Sequence, residues 1–171
     1  DSDGESFWIP VAVSRPQSRT AVVRVRHDGE APLADADPET AFLIDDHVGA
    51  IAFDRGKKLI FAANWDTLAV LVLRPDGTLV ERIARDQLIA DDAGWALAVQ
   101  DWKSLGQGRV LAGGIDKSPN RNRLHSAAVI EVLDIPGRRL IARTRLDSPK
   151  SNVGPLTREG LARLEYQLMV L

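Results

Sequence analysis

The chain of 171 residues contains no cysteine, which excludes disulfides, cysteine metal sites and a thiol nucleophile. No apolar run approaches the roughly 20 residues that a helix needs to cross a bilayer. The opening Asp1-Ser2-Asp3-Gly4-Glu5-Ser6 is acidic where a secretory signal would be basic, and no Asn-x-Ser/Thr acceptor occurs. An excess of one charge is missing too. The formal net charge of −2 supports neither a nucleic-acid partner nor a membrane-surface partner. No window of about 11 residues carries helical periodicity, so helical bundles and βαβ folds fit poorly. Gly113-Gly114 lacks the strand–helix setting of a phosphate loop, and Ser14, Ser118 and Ser126 lack a nucleophile elbow.

What the chain does have is short apolar runs separated by turn chemistry. Apolar residues make up 44% and charged residues 27%, a globular composition long enough for a proper core. The stretch from His47 to Ala84 sets the pattern: His-Val-Gly-Ala-Ile-Ala-Phe-Asp, the turn Arg55-Gly56-Lys57-Lys58, Leu-Ile-Phe-Ala-Ala, and polar Asn64-Trp65-Asp66. It continues with Leu-Ala-Val-Leu-Val-Leu, the turn Pro75-Asp76-Gly77, and Leu-Val-Glu-Arg-Ile-Ala. Four such runs within about 40 residues predict one propeller blade.

An earlier unit holds strands over Phe7–Val13, Ala21–Arg26 and Ala41–Ile44, with residues 30–40 read as a loop. A later one runs from Gly94 through Gly106-Gln107-Gly108, Arg109–Gly114, Ala127–Leu133, Pro136-Gly137 and Arg139–Leu146, and a fourth opens near Thr157. Residues 85–93 have room for one helical turn. Arg138, Arg139, Arg143 and Arg145 read as an outer, solvent-facing strand. The expectation is an all-β propeller of about three and a half four-stranded units, approximately 1–45, 46–90, 91–150 and 151–171. A β-sandwich is the competing fold. Strand-like runs close to both ends predict an internal piece of a longer propeller, because an unclosed array leaves blade faces bare.

A series of words occurs in order along nearly the whole chain: Trp8-Ile9-Pro10-Val11-Ala12, Arg15-Pro16, His47-Val48-Gly49-Ala50, Asn64-Trp65-Asp66, Gln100-Asp101-Trp102, Ala112-Gly113-Gly114 and Thr157-Arg158-Glu159-Gly160. Together they resemble a family of uncharacterised bacterial proteins, predicted to be six-bladed propellers and often exported. The resemblance implies a six-bladed parent and a periplasmic or secreted location, and it carries no activity. At superfamily level the chain is similar to gluconolactonase-type propellers, which bind a divalent cation at the mouth of the channel.

In a propeller, loops entering a first strand and loops joining second to third strands share one face. That face collects Arg15, His47, Asn64, Trp65, Asp66, Trp95, Asp116, Lys117 and Glu159, while small turn residues gather on the other. Arg15, Asn64, Trp65, Asp66, Trp95 and Lys117 are the candidate ligand-binding residues. Asn64, Asp116 and Glu159 offer three oxygen ligands that would suit Ca²⁺, and His47 could act as a general base on a metal-bound water. Glu159 before Gly160 matches the start of the gluconolactonase-like pattern. The bland readings stand beside these: His47 bonding a neighbouring blade, Asn64 and Asp66 as turn formers, and the tryptophans as packing. Three functions stay open: a non-catalytic ligand-binding or scaffold propeller, a cation-dependent hydrolase of the lactonase type, and a protein-interaction module. Partners are a small molecule or a protein on the loop face, with no nucleic acid and no membrane insertion.

Overall fold

The computed structural model describes residues 5–13, 19–26, 38–89, 97–116 and 128–146. They form an all-β structure of three antiparallel sheets taken in chain order. The first holds β1 (Ser6–Val13), β2 (Arg19–Arg26) and β3 (Pro38–Ile44). The second holds β4 (Val48–Asp54), β5 (Leu59–Asn64), β6 (Val70–Leu73) and β7 (Leu79–Ile83). A single helical turn, α1 (Arg85–Leu88), leads to the third: β8 (Leu97–Gly106), β9 (Arg109–Asp116), β10 (Ala128–Asp134) and β11 (Arg139–Leu146). Residues 151–171, read as a fourth unit, lie outside the described residues.

Three local readings are corrected. Residues 38–40 belong to β3, with Pro38 opposite Val25. Proline is tolerated there because it is the first residue of a strand that has no further neighbour among the described residues. Asp116 is the last residue of β9 rather than the start of a loop. Arg143 does not face solvent: its guanidinium lies 2.6 Å from the fully buried Glu131 carboxylate, which also holds Arg85 from α1 at 2.8 Å. A local pattern of alternating arginines gives no warning of a buried acid across the strand.

The middle sheet shows why the sequence carries continuous apolar runs instead of a clean polar alternation. Ala50, Ala52, Phe61, Ala63, Val70 and Val72 pack toward Trp102, Val110, Ala112 and Leu133 of the third sheet. The residues between them, Ile51, Phe53, Ile60, Ala62, Leu71 and Leu73, pack toward Trp8, Val22 and Ile44 of the first. Both faces of β4, β5 and β6 are therefore covered, and these strands run almost continuously apolar, while the outer β7 does not. Full burial of a side chain such as Phe61 or Leu71 contributes about 1.5–3 kcal/mol. Trp8 stacks on Phe53 across the first interface, centroids 5.7 Å apart. β4 sits at the centre, against β1 on one side and β8 on the other.

Strand direction can be followed from the first sheet to the second. Thr20, at the start of β2, accepts from the Val48 amide and donates to the Asp46 carbonyl, so β2 and β4 begin at the same end. β5 finishes there, since the Trp65 amide donates to the His47 carbonyl. β1 therefore runs with β5, and β1–β2–β3 match β5–β6–β7 rather than β4–β5–β6.

The opposite end is stitched by short turns. The Asp54 carboxylate is fully buried and accepts the Lys57 amide of its own turn at 3.0 Å. Its second oxygen accepts the Gly108 amide from the β8–β9 turn of the next sheet. Gly108 has φ +82°, and a Cβ there would stand 2.5 Å from Pro136 Cγ, so only glycine fits. The Gly108 carbonyl in turn accepts the Ile135 amide at 3.0 Å. Among the described residues no helix is long and apolar enough to cross a membrane, which says nothing of β-barrels.

Candidate functional site

In the second and third sheets, the end where β4 begins and β5 finishes carries the longer connections, and Asn64 organises it. Its side chain is buried as the last residue of β5. The carboxamide oxygen accepts three bonds: from the Asp66 amide at 2.9 Å, the Thr67 amide at 2.7 Å and the Thr67 hydroxyl at 2.9 Å. An Asx-type turn of this kind bends the chain where β5 must hand over to β6. The amide nitrogen donates to Asp46 at 2.7 Å, and the other Asp46 oxygen accepts the Arg82 guanidinium from β7.

On that frame stand the three side chains that reach outward. The Trp65 amide bonds the His47 carbonyl at 2.7 Å, which brings the two residues side by side. Their rings are 6.0 Å apart and tilted by 33°. The benzo edge of Trp65 lies across Gly49, where a Cβ would come within 2.4 Å of Cε3. His47 Nδ1 faces Asp66 Oδ2 at 3.5 Å, with the two side chains 39% and 63% exposed. At that separation the carboxylate makes a long contact with the Nδ1 side of the imidazole.

His47, Asn64, Trp65 and Asp66 are thus brought together. Asn64, named as a candidate oxygen ligand and also as a turn former, forms a turn. Its oxygen is already engaged by three donors, so a cation there would compete with the turn. Asp116 pairs with Leu97 at the start of β8 as Asn64 pairs with Val48 at the start of β4, so the two hold equivalent register positions. Arg15, Trp95, Lys117 and Glu159 lie outside the described residues. Among the described residues no three His, Asp or Glu side chains are grouped to hold a metal ion. Gly113 and Gly114 pair with Ile130 and Val129 within the sheet, consistent with discounting a phosphate loop.

Sequence reasoning missed Asp46, Arg82, Thr20 and Thr67. Asp45-Asp46 reads as an ordinary turn, and Arg82 lies 36 residues away on a strand that looks solvent-facing. The Thr67 contribution was legible, because Asn-x-x-Thr is a turn that can close on its own side chains.

No protein-family model matches the chain, and no curated protein matches it.

Proposed function

We propose that the three sheets are consecutive blades of a propeller whose loop-bearing end binds a small molecule. The observation that carries this is the frame under Trp65. Asn64, Asp46 and Arg82 hold a short loop so that an aromatic face, an imidazole and a carboxylate emerge within one patch. Sites of this composition combine apolar contact with a few polar groups that orient the ligand. The blade arrangement is supported by the chain-order sheets and by the central place of β4 between β1 and β8. Arg15, Trp95 and Lys117 belong to the same surface on this reading.

A hydrolase of the lactonase type is the second reading, favoured by the His47–Asp66 contact, which gives an imidazole the carboxylate partner that a general base uses. In that reading Asn64, Asp116 and Glu159 hold a divalent cation such as Ca²⁺, and Asn64 would have to give up part of its turn.

The test is a thermal-shift screen of the chain against metabolite and lactone libraries, with and without Ca²⁺, Mg²⁺, Mn²⁺ and Zn²⁺. A ligand at 100 times its dissociation constant stabilises by about 2.7 kcal/mol. The shift is expected to vanish in Trp65→Ala and in Gly49→Ala, whose new methyl displaces the indole. A midpoint rise that survives in Trp65→Ala and His47→Ala alike would place the site elsewhere. A cation-dependent rise lost in Glu159→Gln, together with lactone turnover lost in His47→Ala, would put the hydrolase first.

A further inference from the structure

Large apolar side chains that stay exposed gather on two sheet faces. In the first sheet, Trp8, Val22 and Ile44 point into the core shared with the second sheet. Alternate positions point the other way, and strand register sets Ile9 opposite Val23, with Val11 and Leu43 on either side of Ala21. Ile9, Val11 and Leu43 are 44%, 45% and 56% exposed. In the third sheet, Trp102, Val110, Ala112 and Leu133 pack on the second sheet. Its other face carries half-buried Leu111, Ile130 and Val132, with Leu105 and Ile141 47% and 48% exposed. Asp101, Lys103 and Arg109 stand around that apolar centre as a rim of mixed sign, which is the anatomy of an interface. The second sheet lies between the other two, and among the described residues it exposes large apolar groups only at Leu79 and Val80 of its outermost strand.

The two exposed faces differ in kind. Taken in chain order, each sheet turns one face back and one forward, and the core joins a forward face to a backward face twice, first sheet to second and second to third. The first sheet is left with a backward face and the third with a forward one. We propose that a second copy of this chain covers both. The forward face of each third sheet lies on the backward face of the other copy's first sheet, so that two equivalent contacts close the pair and continue the packing already present inside the chain. The area favours closure. Three strands of about seven residues span a face of roughly 300 Å², from the spacing and rise of β-strands. One such contact falls well short of the roughly 800 Å² per partner of a stable complex, whereas two bring each copy near it once side-chain relief is added.

The experiment is sedimentation equilibrium of the chain over a wide range of concentration. A reversible monomer–dimer equilibrium is expected, with no species beyond twice the chain mass. Ile9→Asp with Val11→Asp on the first sheet, and Leu105→Asp with Ile141→Asp on the third, should each abolish the dimer. Leu43→Asp, on a different strand of the first face, should do the same and guards against a local folding defect in β1. Leu79→Asp with Val80→Asp, off both faces, should leave the dimer intact. An equimolar mixture of the first-sheet and third-sheet variants should regain association through one intact contact, roughly a hundredfold weaker or more because the second, linked contact is lost. A monomer at every concentration overturns the proposal, as do open-ended polymers or a dimer indifferent to every face variant. Loss of the dimer in the first-sheet variants alone, or no recovery on mixing, would show that unlike faces do not meet and overturns it too.

Discussion

The two ends of the sheets use the same residue types in opposite ways. At the loop-bearing end the acids are satisfied by arginine side chains: Asp46 takes Arg82, and Asp45 takes Arg19. Just beneath, the buried Glu131 takes both Arg85 and Arg143. Charges cancel in pairs, and the result is a stiff, nearly neutral floor from which Trp65, His47 and Asp66 project. At the short-turn end of the second and third sheets the acids lean more on backbone amides, although Asp134 and Glu81 also hold Arg139 and Arg138. Asp54 holds the Lys57 and Gly108 amides, Asp134 the Gly137 amide and Asp76 the Thr78 amide. A carboxylate spent on the backbone, as those of Asp54 and Asp76 are, neutralises no cation in a close pair. Which partner a carboxylate finds decides whether it cancels a charge or fastens a turn.

The comparison breaks most visibly at Glu131. Glu131→Gln leaves two guanidiniums, with side chains only 14% and 17% exposed, sharing a neutral amide. Removing one partner of a buried ion pair costs about 3–5 kcal/mol. Urea denaturation should show that loss, and a change below about 1 kcal/mol would mean that the arginines relax to other acceptors. Next in size is Asp54→Asn, which replaces one of the two oxygens that the Lys57 and Gly108 amides bond separately with an amide nitrogen that cannot accept. Leaving a buried backbone donor unsatisfied costs about 1–3 kcal/mol. The same variant should speed hydrogen exchange at the Gly108 amide while leaving the Trp65 amide protected. Equal acceleration at both would show that the two ends are not independently held.

The smallest effect is in acid. The Gly137 amide, and after it the Arg139 guanidinium, hold the Asp134 carboxyl below its ordinary range, against the opposing cost of desolvation. The Thr78 amide and hydroxyl do the same for Asp76. A carboxyl whose folded pKa is depressed contributes stability that is complete above its unfolded value, about 3.9, and is lost as pH falls through the folded value. Stability of the chain should therefore decline below about pH 4, and Asp134→Asn should flatten part of that decline while lowering stability slightly at neutral pH. An unchanged acid profile in Asp134→Asn would show that the turn bonds contribute nothing across that range.

Much of the fold was legible because its signals are local. Apolar runs of four to eight residues and Gly, Asp and Pro at the turns located every described strand, with boundaries shifted by a few residues. Continuous apolar runs in β4, β5 and β6 also announced burial on both faces. The site was legible in part. Asn64-Trp65-Asp66 and His47 share an end because strand alternation in an antiparallel sheet puts the entry to β4 beside the exit of β5. Asp46, Arg82 and the buried face of Arg143 were not legible, since each depends on a partner 12 to 36 residues away that no local pattern names.

The sequence by itself determined an all-β chain, where its strands and turns fall, and that its loops divide into a polar, aromatic set and a tight, glycine-bearing set. Those follow from backbone sterics and side-chain period, which act over a few residues. Only the tertiary structure decided which carboxylates meet arginines, as Asp46 meets Arg82 and Glu131 meets Arg85 and Arg143, and which meet amides, as Asp54 does. Charge pairing is a matter of distances across strands and between sheets, and those distances exist only once the sheets have packed.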